Sequence, residues 1–247
     1  MITDIQIQPI TLSRSIFLFG IPAVIFFILA NYLIPFINAV LNIDPILVWF
    51  LVGGAGIFIP LFIITFILLK REQYNLTKEI IVLRLRLTKP GKREIYISLL
   101  AALSCFILSG LIIFIYNFIS DGTQLFGHLN TSPGFLEYSP SNSNPLLVLA
   151  IWIPFFFFNI FGEELLWRGF ILPGQILHHG KSAWILNAIL WLLFHLCFGF
   201  GLILTLLPIL FILPYLVQKY KNTWIGILIH ALYNGPIFIL LTAGVIQ

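Results

Sequence analysis

Uninterrupted apolar runs of roughly twenty residues recur along this 247-residue chain, and they leave it few ways to fold. They lie near 15–38, 46–69, 96–119, 146–171, 183–199, 201–218 and 223–244. A helix needs about 20 apolar residues to cross the hydrocarbon core of a bilayer. The other spanning solution, a β-barrel, would read as alternating segments of about ten residues, and these runs are continuous. Only 9% of the residues are charged, against roughly 25% in a soluble domain. The expectation is an all-α polytopic transmembrane helical bundle. It has about seven membrane helices, or eight if the end of the long fourth run forms a separate short helix. Gly199-Phe200-Gly201 divides the fifth run from the sixth and implies a tight helical hairpin if both runs span, and a lower span count with another topology if they do not. Pro208 and Pro214 should bend the sixth span.

Basic residues set the expected orientation. Eight of the thirteen fall between Lys70 and Arg93, and Lys181, Lys219 and Lys221 recur at the same side of a seven-span path. The connection 120–145 has no Lys or Arg and is rich in Ser, Asn, Pro and Gly. The N-terminus and the 70–94 loop are therefore expected on the cytoplasmic side of a plasma membrane, of prokaryotic type on composition. Thr77–Leu87 alternates charged with apolar residues and could lie on the inner leaflet, but it reads more simply as a solvated basic loop. The +4 net charge follows the membrane sides and gives no reason to expect nucleic acid. Cys105 and Cys197 sit in different apolar runs and read as buried free thiols. Residues 1–145 are read as N-terminal membrane helices and 146–247 as a catalytic-type helical core, both within one structural domain.

Glu163 and Glu164 are the only acidic residues after position 145, and both fall inside an apolar run. Ionisable groups at membrane depth are costly and mark functional sites by default. At 1.5 Å per residue, Glu163, His195 and His230 lie about 10–18 Å in from the same side, on three different helices. Arg168 is four residues beyond Glu164 and can pair with it; His230 and Asn234 are likewise four apart on one face. The geometry suggests Glu163 turned towards the histidines and Glu164 held by Arg168. Trp191 and the run Phe155–Phe158 read as packing or lipid-facing aromatics. A carboxylate in a low-dielectric site can act as a general base on water. A nearby His can share that proton, and a second His with an Asn can donate to a developing oxyanion. That combination suits hydrolysis of an amide by activated water. Two His and a Glu are also a workable zinc set, with Glu163, His195 and His230 as ligands, but no His-Glu-x-x-His spacing is present.

Glu163-Glu164-x-x-x-Arg168, Trp191-x-x-x-His195 and His230-x-x-x-Asn234 resemble the three motifs of the CAAX protease and bacteriocin-processing (CPBP, or abortive-infection) family of intramembrane proteases. That family includes the type II CAAX prenyl endopeptidases. The resemblance covers about 146–238, and Trp191 stands where the family usually has Phe. It implies Glu163 as catalytic base with His195, Glu164 and Arg168 as supporting residues, and His230 with Asn234 as the oxyanion pair. Members were long classed as metalloproteases, whereas one branch resembles glutamate-type proteases that need no metal. The expected function is therefore an intramembrane endopeptidase acting near the cytoplasmic membrane face, with zinc as the alternative cofactor. Its partners would be membrane lipid and a membrane-associated peptide or prenylated protein. A non-proteolytic bacteriocin-immunity or scaffold protein that binds a peptide is the alternative from another class. A proton relay or transporter is disfavoured, because no inverted repeat is visible.

Overall fold

A computed structural model describes residues 6–72, 76–123, 127–136 and 145–242 of the chain. Among them the regular structure is helical throughout. The long helices are α1 (Leu12–Leu41), α2 (Pro45–Arg71) and α4 (Lys92–Thr123), with the short α3 (Lys78–Arg84) between the last two. After the 127–136 connection come α5 (Pro145–Glu163), a π segment (Glu164–Ile171) and α6 (Leu172–His179) in one unbroken run. Then follow α7 (Ala183–Phe194), α8 (Phe200–Tyr220) and α9 (Thr223–Thr242).

Six stretches are long and apolar enough to cross a membrane, and the protein is an integral membrane protein. One of the six, Leu146–Phe198, contains both the fourth and fifth expected spans, because the chain reverses at Gly180 (φ 62°). The end of the fourth run is the π segment, continuous with α5, and α6 follows it beyond the run without a break. Helix α7 has only 12 residues, about 18 Å, and does not cross a 30 Å core by itself. It stops at His195 and continues as one 3-10 turn to Gly199 (φ 85°), where α8 begins. The expected hairpin is there: Trp184 on α7 packs edge-on to Tyr215 on α8, and Gln218 Nε2 donates to the Lys181 carbonyl at 2.9 Å. Helix α8 runs through Pro208 and Pro214 without interruption.

Local chemistry explains most boundaries. Asp44 caps α2, its carboxylate accepting from Ile46 N–H at 3.1 Å, with Pro45 at the first helical position. Asn42 closes α1 in a left-handed conformation (φ 50°), a position its short polar side chain tolerates. Gly162 lets α5 come close to α2: a Cβ there would sit 2.5 Å from the Phe58 backbone carbonyl oxygen. Gly56 does the same for α2 against Leu29 of α1. Cys105 and Cys197 are free and buried, as expected.

The 77–87 segment differs from a solvated loop. Arg84 is fully buried, clamped by both carboxylate oxygens of Glu72 at 2.7 Å, and its Nη1 reaches the Gly169 carbonyl at 3.4 Å. Leu85 is equally buried, and its carbonyl accepts from Thr223 Oγ1 at 2.6 Å. Thr223 N–H donates to the Arg86 carbonyl, and Asn222 Nδ2 to that of Thr88. The basic segment is therefore folded inward as a plug against the π segment and the start of α9. A guanidinium satisfied by a bidentate carboxylate can be buried at tolerable cost, which composition alone does not reveal.

Candidate active site

Helix α5 delivers two carboxylates to the interior and the π segment separates their surroundings. Glu163 ends α5 and Glu164 opens the π segment, whose eight residues are all buried. A π segment widens the turn and is frequently found at functional sites, although two others, Leu29–Leu33 and Gly54–Phe58, lie within α1 and α2.

The Glu163 carboxylate is held by neutral donors. Asn159 Nδ2, one turn earlier on α5, donates to Oε1 at 2.9 Å, and Trp191 Nε1 on α7 donates to Oε2 at 2.6 Å. Glu164 is held by cationic and imidazole groups: Arg168 Nη1 and His230 Nδ1 both reach its Oε1, each at 3.0 Å. The expected Glu164–Arg168 pair is thus present. The expected turn of Glu163 towards the histidines is corrected in part, since His230 hydrogen-bonds Glu164 and the direct partners of Glu163 are Trp191 and Asn159. Arg168 reaches Glu164 from within the π segment and His230 reaches it from α9. Gly226 on α9 completes that side; a Cβ there would lie 2.5 Å from Glu164 Oε2.

His195 closes α7. Its Nδ1 lies 2.8 Å from the Trp191 carbonyl, which can only accept, so Nδ1 carries the hydrogen and neutral His195 keeps Nε2 as an acceptor. The carboxylate of Glu164 likewise requires the hydrogen on Nδ1 of His230. Asn234 Nδ2 donates to Asn159 Oδ1 at 3.4 Å, which connects it to Glu163 through one amide. Asn187 lies apart from the site: it donates to the Trp167 carbonyl and to Gln175 Oε1 and ties α7 to the π segment and α6.

A cavity of about 490 Å³ adjoins the site. Glu163, Trp191, His195, His230, Asn159 and Asn234 all line it, while Glu164 and Arg168 do not. Its remaining walls are mainly apolar side chains of α2, α4 and α8. Its lining extends to Asp44 and to Thr131–Pro133, at the end of the bundle opposite the 78–94 plug.

Two residues of this arrangement, Trp191 and Asn159, are not read from the chain as partners of Glu163. Trp191, taken as packing or lipid-facing, is 1% exposed and central: its indole binds Glu163, and the Arg168 guanidinium lies 3.5 Å over its ring. Asn159 had a usable signal, its spacing of four from Glu163. As a zinc set, Glu163, His195 and His230 do not fit. Among the described residues no three His, Cys, Asp or Glu side chains gather closely enough to hold an ion.

Residues 145–235 match the family described as type II CAAX prenyl endopeptidase Rce1-like. The matched stretch is less than half of the chain, runs from the start of α5 into α9, and contains every residue of the site. No curated protein and no solved structure matches the chain.

Proposed function

From the Rce1-like domain at 145–235 as premise, we propose that the protein is an intramembrane endopeptidase that hydrolyses a peptide bond with water activated by Glu163 and His195. The observation that carries this reading is the pairing of a doubly held carboxylate and an imidazole with a free acceptor nitrogen on one cavity wall. Water in the cavity gives its proton to Glu163, and His195 Nε2 accepts a hydrogen bond from that water or takes the proton on. The hydroxide attacks the carbonyl carbon of the scissile amide. The oxyanion then forms beside Asn234, whose second amide hydrogen is available, and His230. Collapse returns the proton to the leaving amine. Removing one such oxyanion donor typically costs about 10²–10³ in kcat, and a general base about 10²–10⁴.

The apolar cavity suits a membrane-associated peptide or a lipid-modified C-terminus, including a prenylated CAAX-type protein. With the basic residues on the cytoplasmic side, Glu163 lies in the cytoplasmic leaflet. The test is cleavage of prenylated and unprenylated fluorogenic peptides by purified protein, beside Glu163→Gln, with and without chelator. Cleavage that is lost in the variant and indifferent to chelator supports the reading. Chelator-sensitive cleavage restored by zinc overturns the metal-free mechanism. Failure of folded wild-type protein on the whole panel, together with full cellular activity of Glu163→Gln, favours a peptide-binding immunity or scaffold role.

A further inference from the structure

Trp191 makes contacts that no packing role requires. Its indole N–H points at Oε2 of Glu163 at 2.6 Å, a short bond in which the donor has no acceptor capacity. Oε2 must therefore present a lone pair to Trp191 whatever the protonation state of Glu163, and the indole cannot relay the proton. With Asn159 on Oε1, the carboxylate plane is fixed at both ends, and each oxygen retains lone-pair capacity for water. The ring is itself immobilised. The Arg168 guanidinium covers one face at 3.5 Å. The rings of His195 and His230 stand at 79° and 77° to it, with centroids 5.3 and 5.5 Å away. The backbone of the same residue sets the second acceptor, because its carbonyl takes the Nδ1–H of His195 and leaves Nε2 free.

We propose that Trp191 is a positioning residue for the reaction: its indole N–H orients the Glu163 base, in a ring that the Glu164–Arg168 pair holds in place. This rests on the hydrolytic reading of the site. A phenylalanine at 191 would keep an aromatic ring beneath Arg168 and above the histidines while removing the only polar hydrogen. The Arg168 cluster, which does not reach the cavity, then acts on the base through this ring.

The experiment uses purified full-length protein in lipid nanodiscs. Trp191→Phe is compared with wild type carrying β-(3-benzothienyl)alanine at position 191, which preserves the bicyclic shape and replaces N–H by sulfur. Both are expected to lower kcat by about 10- to 100-fold, as misorientation of a reacting group does, with KM within twofold. The benzothienyl protein should keep the wild-type Tm. Unchanged kcat in the benzothienyl protein overturns the proposal and leaves Trp191 a packing residue. A second readout does not need turnover: the ultraviolet resonance Raman difference between wild type and Trp191→Phe isolates the indole of residue 191. A strongly bonded N–H signature that disappears in Glu163→Leu supports the contact even if no peptide is cleaved and the hydrolytic reading fails. A signature that persists in Glu163→Leu overturns it.

Discussion

Glu163 and Glu164 are neighbours in sequence and opposites in environment, and the two sides of the site they define differ in what each can lose. The Glu163 side is lined by neutral donors and faces a cavity. The Glu164 side is packed, with Arg168 and Glu164 both fully buried and Gly226 pressed against the carboxylate. A carboxylate facing a cavity and held by amide and indole hydrogens is available for exchange with water. One that shares an oxygen with a guanidinium and an imidazole is committed to holding the π segment against α9. The difference teaches that paired acids in a membrane helix divide labour by what lies opposite each of them.

Four substitutions test that division. The largest effect is expected at Glu163→Gln, which should reduce kcat by about 10³–10⁴ and leave Tm within a few degrees, read by peptide cleavage and thermal unfolding. Comparable loss of Tm would erase the contrast between the two sides. Next is Arg168→Met, which strands Glu164 in the interior. Breaking a buried pair costs about 3–5 kcal/mol, so it should show as a large drop in Tm and in yield of folded protein; retention of both would mean that the packed side is not structural. Asn234→Ala belongs to the cavity side and should lower kcat about 10²-fold with KM little changed. Gly226→Ala, on the packed side, should cost about 1–3 kcal/mol by overpacking against Glu164 and its neighbours. A smaller loss of kcat than of stability there would sharpen the distinction further.

Much of this was readable from residue order. The continuous apolar runs dictated membrane helices, and the spacing of four between Glu164 and Arg168 anticipated their ion pair. The depth estimate correctly gathered Glu163, His195 and His230 around one cavity. What escaped depended on contacts between distant segments. The Trp191 hydrogen bond joins residues 28 apart, and the packing of an indole looks the same in sequence whether or not its N–H is used. Arg84 looked solvated because its carboxylate clamp lies 12 residues back and its other acceptor 85 residues ahead. The pairing of His230 with Glu164 escaped because regular α-helical angles do not describe Glu164–Ile171.

That π segment has a consequence for how the chain can change over evolutionary time. With bonds running from each residue to the fifth one on, side chains advance around the axis by less than the α-helical step. Everything downstream is therefore out of phase with everything upstream. Deletion of a single residue within 164–171 would restore regular winding and leave Gln175 near its present azimuth, while breaking the spacing that pairs Glu164 with Arg168 inside the segment. The segment's eight positions form a phase-setting spacer whose residue count matters as much as its residue types.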